Sequence, residues 1–466
     1  MQSSTLPSSF RDPDGFLFSH NGEVFRQVNH SGREDYDALM ASGLYDSLVK
    51  KGWLIPHEEV AGDGGEPSKD QCYKTLHPDQ IKYISYPYEW CFSQLKDAAL
   101  LTLEIQLEAL KHGMTLKDAT AYNVQFHNGR CVFIDTLSFE VYKEGRPWVA
   151  YRQFCQHFLA PLALIEKCDF RLLHLLRSYI DGIPLDLTSQ LLPQSSWFNY
   201  SLLAHIHLHA KTQKQFEDSG RESDQAKAIL MSRTRLEGLI SSLQSATQKL
   251  QWKHANTEWG DYYADTNYVD KSMQQKEQLI GSMLDQCERS DLPIAADFGA
   301  NTGKFSRLAI ASGFYVLSHD IDEVAVDKNY RQAVSEGEES ILPLILDLTN
   351  PSPGLGWASS ERSSFVEREN VDIGMALALI HHISISNNVP LDLVAKFFAG
   401  VCKQLIIEFV PKSDSQVARL LATREDVFPN YTEVGFEAAF GRYFNANQKV
   451  SIEGSERTLY LMTAYS

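Results

Sequence analysis

The chain has 466 residues and a formal net charge of -17, a length that suits about two to four domains with ample core. That charge disfavours non-specific binding to nucleic acid or to an anionic membrane surface, while leaving room for a local basic patch. The N-terminus MQSSTLPSSFRDPDG is polar, the seven scattered cysteines never form a C-x-x-C pair, and no apolar run nears the ~18 residues of a membrane span, so a reduced, cytoplasmic protein is expected.

In chain order, Gly15–Phe18 and Glu23–Arg26 flank Asn21-Gly22. This is a hairpin pattern, because Asn-Gly tolerates the positive φ of a tight primed turn. A helix is predicted over 33–51, a Gly/acid-rich exposed loop over 61–70, a short strand over 82–85, a turn at Tyr86-Pro87-Tyr88 and a long helix over 91–112. LKDATAYNVQFHNGRCVFID (116–135) follows, a loop and two short strands around the turn 127–130. In it Asp118, Asn123 and Asp135 stand at the spacing by which kinases place a catalytic acid, an amide and a metal-binding acid. Asp118 would accept a hydroxyl proton, and Asn123 and Asp135 would hold Mg²⁺ through oxygen. Upstream, however, there is no Gly-rich phosphate loop and no Val-Ala-Ile-Lys-like strand, and Asp135 precedes Thr136-Leu137-Ser138 rather than Phe-Gly. Loop residues that bond their own backbone explain the same pattern and are favoured; a kinase-like shape without phosphotransfer comes second.

Residues 147–210 read as mainly helical. His205, His207 and His209 would share a face and suit Zn²⁺ on a strand, but on a helix only His205 and His209 do, so packing is their expected role. KTQKQFEDSGRESDQAKAIL (211–230) is the best candidate for a domain connection, and an amphipathic helix continues from it to about Trp252. The expected organisation is an N-terminal α+β domain over 1–210, a connection over 211–255 and a second domain over 256–466.

From Ile294 the pattern becomes an alternation of apolar strands (294–297, 315–318, 342–346, 373–379 and 405–409) with helical segments, which implies βαβ units and a parallel sheet. The stretches 448–452 and 458–462, around Glu453-Gly454-Ser455-Glu456, read as a terminal antiparallel hairpin. DFGANTG (297–303) ends the first of these strands. Its glycines permit a tight turn and close approach of a ligand, but they fit neither G-x-G-x-x-G nor a P-loop. Asp320 ends the second strand, 21 residues after Gly299, where a carboxylate can accept both hydroxyls of a ribose. Asp347 ends the third and can accept from an adenine amino group. Singly, each acid is an ordinary solvated strand end; in order on consecutive strands they point to a nucleoside-bearing cofactor.

On these residues the stretch from about Trp259 onward resembles class I S-adenosylmethionine-dependent methyltransferases. DFGANTG is similar to the family's first motif (Asp297, Gly299, Ala300, Asn301, Gly303), and Asp320 with Ile321 falls where its ribose-binding acid lies. Asp347 with Leu348 matches the acid after the third strand, ALALIHHI with Leu379 the fourth-strand segment, and the hairpin the antiparallel sixth and seventh strands. More loosely, the whole chain resembles bacterial methyltransferases related to nodulation protein NoeA. The resemblance implies an α/β, Rossmann-like, doubly wound domain after an α+β domain that is kinase-like or recognises substrate. It implies S-adenosyl-L-methionine as cofactor and an unidentified acceptor, small or carrier-bound. His381, His382 and Glu408 are candidate bases, with orientation of a strand end as the plain alternative for the histidines. The missing Asn/Asp-Pro-Pro-aromatic sequence tilts the acceptor away from nucleobases towards a hydroxyl, carboxyl or small molecule. On the resemblance Trp259, Tyr262, Tyr263 and Tyr268 would close over the cofactor, with surface packing of a connecting helix the favoured alternative, while Asn387, Asn388 and the segment 411–431 would shape the acceptor pocket. The rivals are a kinase-like phosphotransferase joined to a methyltransferase fold and a non-catalytic cofactor-binding module. No membrane partner is expected.

Overall fold

The computed structural model describes residues 4–60, 67–211, 231–253, 270–422 and 425–465. The chain divides into two compact units, residues 1–253 with 354–363 and residues 254–353 with 364–466. Among the described residues no helix is long and apolar enough to cross a membrane.

The first unit is α+β. Its five-stranded antiparallel sheet has the order β1-β2-β3-β5-β4, from β1 (Ser4–Thr5), β2 (Gly15–His20), β3 (Glu23–Asn29), β4 (His57–Val60) and β5 (Cys72–Pro78). Asn21 and Gly22 take φ of 56° and 89° in the β2–β3 turn. The helix expected over 33–51 is two helices, α1 (Arg33–Ala41) and α2 (Leu44–Lys50), parted at Gly43 with φ 75°. The strand expected over 82–85 does not form. The Ser85 N–H donates to Gln125 Oε1 at 3.0 Å and its carbonyl accepts from Gln125 Nε2 at 2.9 Å, so a side chain satisfies the backbone that a ladder would have used. Helix α3 (Phe92–Lys111) leads to β6 (Met114–Leu116), β7 (Val124–His127), β8 (Arg130–Phe133) and β9 (Phe139–Val141), which pair as β6 with β9 and β7 with β8.

The helix after the polar stretch, α4 (Arg233–Lys249), belongs to this unit rather than to a free connection. Lys96 of α3 donates to the carbonyls of Gln248 and Leu250 at 2.9 and 2.8 Å, satisfying groups left open at the helix end. Trp252 packs 4.9 Å from Phe170. The segment 354–363 was also unforeseen as part of this unit. Arg11 grips Glu361 with two hydrogen bonds of 2.7 and 3.0 Å, the Arg362 guanidinium lies 4.2 Å from the Tyr122 ring centre, and the Ser363 N–H donates to Tyr86 Oη at 2.9 Å.

The second unit is α/β. Seven strands, β10 (Ile294–Phe298), β11 (Tyr315–Asp320), β12 (Ile341–Ile345), β13 (Val371–Ala376), β14 (Cys402–Phe409), β15 (Phe444–Ser451) and β16 (Thr458–Ala464), form one sheet in the order β12-β11-β10-β13-β14-β16-β15. β10 to β14 run parallel, and β16 is antiparallel to both neighbours. The chain winds outward from β10 to β12 and then returns to β13, so the order reverses between β10 and β13. Every residue of β11, β12 and β13 is buried, as befits parallel strands covered on both faces. Helices α5 (Asp270–Gln286), α6 (Lys304–Ala311), α7 (Glu323–Glu336) and α8 (Leu391–Val401) surround the sheet. Ile280 and Leu284 of α5 join Phe305, Val316, Ile373 and Ile406 in its core. Asp322 caps α7 by accepting from Val324 and Ala325 N–H, and Gly337 ends it at φ 68°.

The terminal hairpin is fastened by charge. Glu408 of β14 is fully buried, and its carboxylate meets Lys276 of α5 at 2.6 Å and Arg457 at 3.5 Å. Arg457 also pairs with Asp414 at 2.8 Å. Removing one partner from a buried ion pair typically costs about 3–5 kcal/mol. Arg457→Met should therefore lower unfolding free energy by about that amount in urea titrations, with Arg457→Lys intermediate. An unchanged midpoint would refute this role for the arginine.

Candidate functional site

A cavity of about 350 Å³ opens at the carboxyl ends of β10 to β13, where an open parallel sheet with reversed strand order leaves a crevice. Its floor is the turn after β10. Gly299, Asn301 and Gly303 take φ of 77°, 52° and 79°. The Gly299 and Ala300 N–H groups donate to the His319 carbonyl at 2.8 and 2.9 Å, folding the turn back over β11. A Cβ on Gly303 would stand 2.5 Å from Asn329 Oδ1, and one on Gly299 would stand 3.3 Å from Leu379 Cδ1. Both glycines hold a positive φ that an L side chain rarely adopts. Gly299 and Asn301 line the cavity; Ala300 and Gly303 shape the turn behind it.

Three acids reach the cavity from consecutive strand ends. Asp297 accepts from Ser306 Oγ at 2.7 Å, and burial pushes its carboxyl up to about 6. Asp320 accepts from the N–H groups of Asn301 at 2.6 Å and Asp322 at 2.8 Å. Burial pushes Asp320 up to about 6 as well, against the pull of those backbone hydrogen bonds. Asp347 accepts from the Thr349 N–H at 2.8 Å and its hydroxyl at 2.6 Å. Ile321, 57% exposed although apolar, lines the same space with Leu348.

At the β13 end the histidine pair splits. His382 lines the cavity, and burial, aided by Arg457, lowers its imidazole to about 4. The His381 ring lies 4.1 Å from that of His382 but is 1% exposed and away from the cavity, and neither of its nitrogens has a hydrogen-bond partner among the described residues. Glu408 is also sealed from the cavity; besides Lys276 and Arg457 it accepts from the Ala378 N–H at 2.8 Å. Leu379 and Asn387 line the space, while Asn388 sits beyond it at φ 57°. The described residues of the segment 411–431 do not line the cavity; Lys412 Nζ bonds Asp426 and the Phe428 carbonyl, Tyr431 Oη bonds the Val410 carbonyl, and Asp414 pairs with Arg457. Trp259, Tyr262, Tyr263 and Tyr268 lie outside the described residues.

Sequence reasoning missed Lys276, which is 2% exposed and lines the cavity. The signal was present. Met273, Lys276, Ile280, Met283 and Leu284 fall on one helical stripe, and a lysine within an apolar stripe is unusual unless it has a partner.

In the first unit Asp118, Asn123 and Asp135 do gather, but on each other's loop. Asp135 pairs with Arg26 at 2.6 Å and accepts from Ser138 Oγ at 2.6 Å and the Leu137 N–H at 3.1 Å. Asn123 donates to Ser138 Oγ at 3.1 Å, and Asp118 accepts from the Thr120 N–H at 2.9 Å. Burial, then Asp135, raises the Asp118 carboxyl. Among the described residues no group of three or more His, Cys, Asp or Glu could hold a metal ion. His205 bonds Tyr151 and Ser242, His207 bonds Ser189 and Ser196, and His209 stacks on Tyr151.

No family model matches the chain. Nodulation protein NoeA of Rhizobium meliloti (strain 1021) is 34% identical over 463 residues, which cover 98% of this chain and 95% of NoeA. Magnesium protoporphyrin IX methyltransferase (ChlM) from Synechocystis PCC 6803 with bound SAM aligns with 44% of this chain and 89% of its own, at 18% identity and a TM-score of 0.30. N-methyltransferase NodS from Bradyrhizobium japonicum WM9 aligns with 42% of this chain and 98% of its own, at 9% identity and a TM-score of 0.31. The strand order given above is established by this chain's own pairings.

Only as a carboxylate would Asp320 offer both oxygens as acceptors to the paired hydroxyls of a ribose. Burial pushes its carboxyl up to about 6, so if Asp320 holds a ribose, affinity for adenosine should be full at high pH and fall as pH drops through about 6. Calorimetric titration across that range would show it, and Asp320→Asn should flatten the profile. A flat profile in the unsubstituted chain would refute the assignment.

Proposed function

The chain belongs to the family of nodulation protein NoeA, and we propose that its second unit is an S-adenosylmethionine-dependent methyltransferase. The observation that carries this reading is the convergence of Gly299, Asp320 and Asp347 on one cavity at the reversal of strand order. The residues fit the cofactor. A turn without side chains at Gly299 admits a ligand against the backbone, Asp320 would hold the ribose hydroxyls, Asp347 the adenine amino group, and Ile321 and Leu348 the adenine faces. When bound, the cofactor supplies an electrophilic sulfonium methyl group with a neutral leaving group.

What remains for the protein is mainly alignment of the acceptor and exclusion of water. His382 is the imidazole that meets the cavity, and with its conjugate acid lowered to about 4 it stays neutral near pH 7 but is a weak base. Its proposed role is therefore to orient the acceptor by a hydrogen bond. His381 and Glu408, sealed from the cavity, support the site from behind. An acceptor with a lone pair and no proton to remove, such as a carboxylate, suits this arrangement better than an alcohol. A phosphotransferase reading of the first unit has less support, because the oxygens of Asp118 and Asp135 already serve backbone amides, Ser138 and Arg26.

Thermal denaturation tests the proposal. S-adenosylmethionine at about 100 times its Kd should stabilise the chain by about 2.7 kcal/mol, and Mg-ATP should not. Asp320→Ala should weaken S-adenosylmethionine binding at least about tenfold, the loss of roughly 1.4 kcal/mol. If no adenosyl ligand protects the chain, the methyltransferase reading fails.

A further inference from the structure

Four consecutive lining residues of the cavity, Leu346, Asp347, Leu348 and Thr349, come from the loop after β12 rather than from a strand. The loop is tied at its start, where the Leu346 N–H donates to the Asp320 carbonyl at 2.8 Å, and Asp347 accepts from Thr349 and Asn350 of the same loop. At Gly354 the chain leaves the second unit, and it returns at Ser364. This excursion is closed at its base, because the Phe365 N–H donates to the Ser352 carbonyl at 2.9 Å. Phe365 is 1% exposed, and its ring centre lies 5.6 Å from that of His319, the residue whose carbonyl holds the glycine turn of the floor. One foot of the excursion continues from the wall assigned to adenine, and the other packs on the residue that holds the floor.

The excursion itself is held under strain. Leu355 and Arg362 exchange backbone hydrogen bonds of 2.9 and 3.0 Å, and between them Ala358 and Ser359 take φ of 53° and 56°, a region that residues with a Cβ rarely adopt. Such backbone persists only where surrounding contacts over-determine it. Here the contacts come from the first unit and centre on Glu361, which is 2% exposed. Its carboxylate accepts the two hydrogen bonds of Arg11 and, across the tip, the Trp357 N–H at 3.1 Å. Arg362 Nη1 donates to the Ser8 carbonyl at 3.1 Å. A bidentate arginine–carboxylate pair fixes orientation as well as distance. Ordering a loop costs conformational entropy, and a ligand that meets a loop already ordered is spared that cost.

On the methyltransferase reading, we propose that Arg11 is a positioning residue for the cavity: by gripping Glu361 it orders the excursion 354–363 and, through the two feet, the wall 346–349 and the glycine turn. A ligand at that wall and the Arg11–Glu361 pair then stabilise each other by the same factor, because coupling between two sites is reciprocal. The first unit serves the cavity through the chain rather than through a lining residue.

Calorimetric titration of the full chain with S-adenosylhomocysteine, joined to hydrogen exchange, tests the proposal. Arg11→Gln and Glu361→Gln should each weaken binding at least about fivefold, the lower end of typical couplings between sites. Arg11→Lys should fall between them and the unsubstituted chain. The double variant Arg11→Gln/Glu361→Gln should lose no more than either single variant, because both act through one contact. In the unsubstituted chain, saturating S-adenosylhomocysteine should slow exchange of the Leu355 and Arg362 amides by about the factor that Arg11→Gln costs in affinity. Amides of β10 and β13 report the fold and should keep their protection in every variant. Unchanged affinity, additive losses in the double variant, no slowing at Leu355 and Arg362, or an affinity loss that comes with lost protection in β10 and β13 would each overturn the positioning role. If S-adenosylhomocysteine does not bind the unsubstituted chain, it is the methyltransferase reading that has failed, and this inference falls with it.

Discussion

A carboxylate without access to water must be surrounded by donors, and the second unit is organised around that demand at Glu408. Lys276 brings α5 to it, the Ala378 N–H brings the end of β13, and Arg457 brings the loop of the terminal hairpin. Elements far apart in the chain are thus bound to one group. Ala378 adopts φ 50°, unusual for a residue with a Cβ, and its N–H reaches the carboxylate from there. The strain is local to the cavity rim, where backbone departures commonly serve a site.

The second unit was legible because its physics is repetitive. Strands buried on both faces are mostly apolar, so β10 to β14 stood out as apolar runs divided by helical periodicity. The glycines and acids of the cavity were legible because they occupy strand ends, where an apolar run stops abruptly. Lys276 was not, because its meaning depends on Glu408, 132 residues away. Nor does sequence separate His381 from His382. Adjacent residues face different ways, but only packing decides which one meets the cavity. The first unit was harder to read. Its β4 and β5 carry charged and polar residues, and its 33–51 helical pattern hides a break at Gly43, which takes a positive φ.

The cluster of Asp118, Asn123 and Asp135 shows how spacing and chemistry can part. The spacing did bring the three into one neighbourhood. The contacts differ from those a metal-nucleotide site would need, because serine, backbone amides and an arginine already occupy the carboxylates. A charge-assisted contact between Arg26 and Asp135 supplies the cation internally. The histidine trio gives the same lesson in milder form, each ring being spent on a nearby hydroxyl or aromatic ring.

The return of residues 354–363 to the first unit makes the two units topologically inseparable at any single cut. The chain passes from one to the other at 253/254, 353/354 and 363/364. A truncation after residue 253 would remove Glu361 and Arg362 and leave Arg11 and Tyr122 in the remaining fragment without these partners. The first unit is therefore not written in one continuous run of sequence, and a fragment that ends at the first crossing lacks part of its own fold.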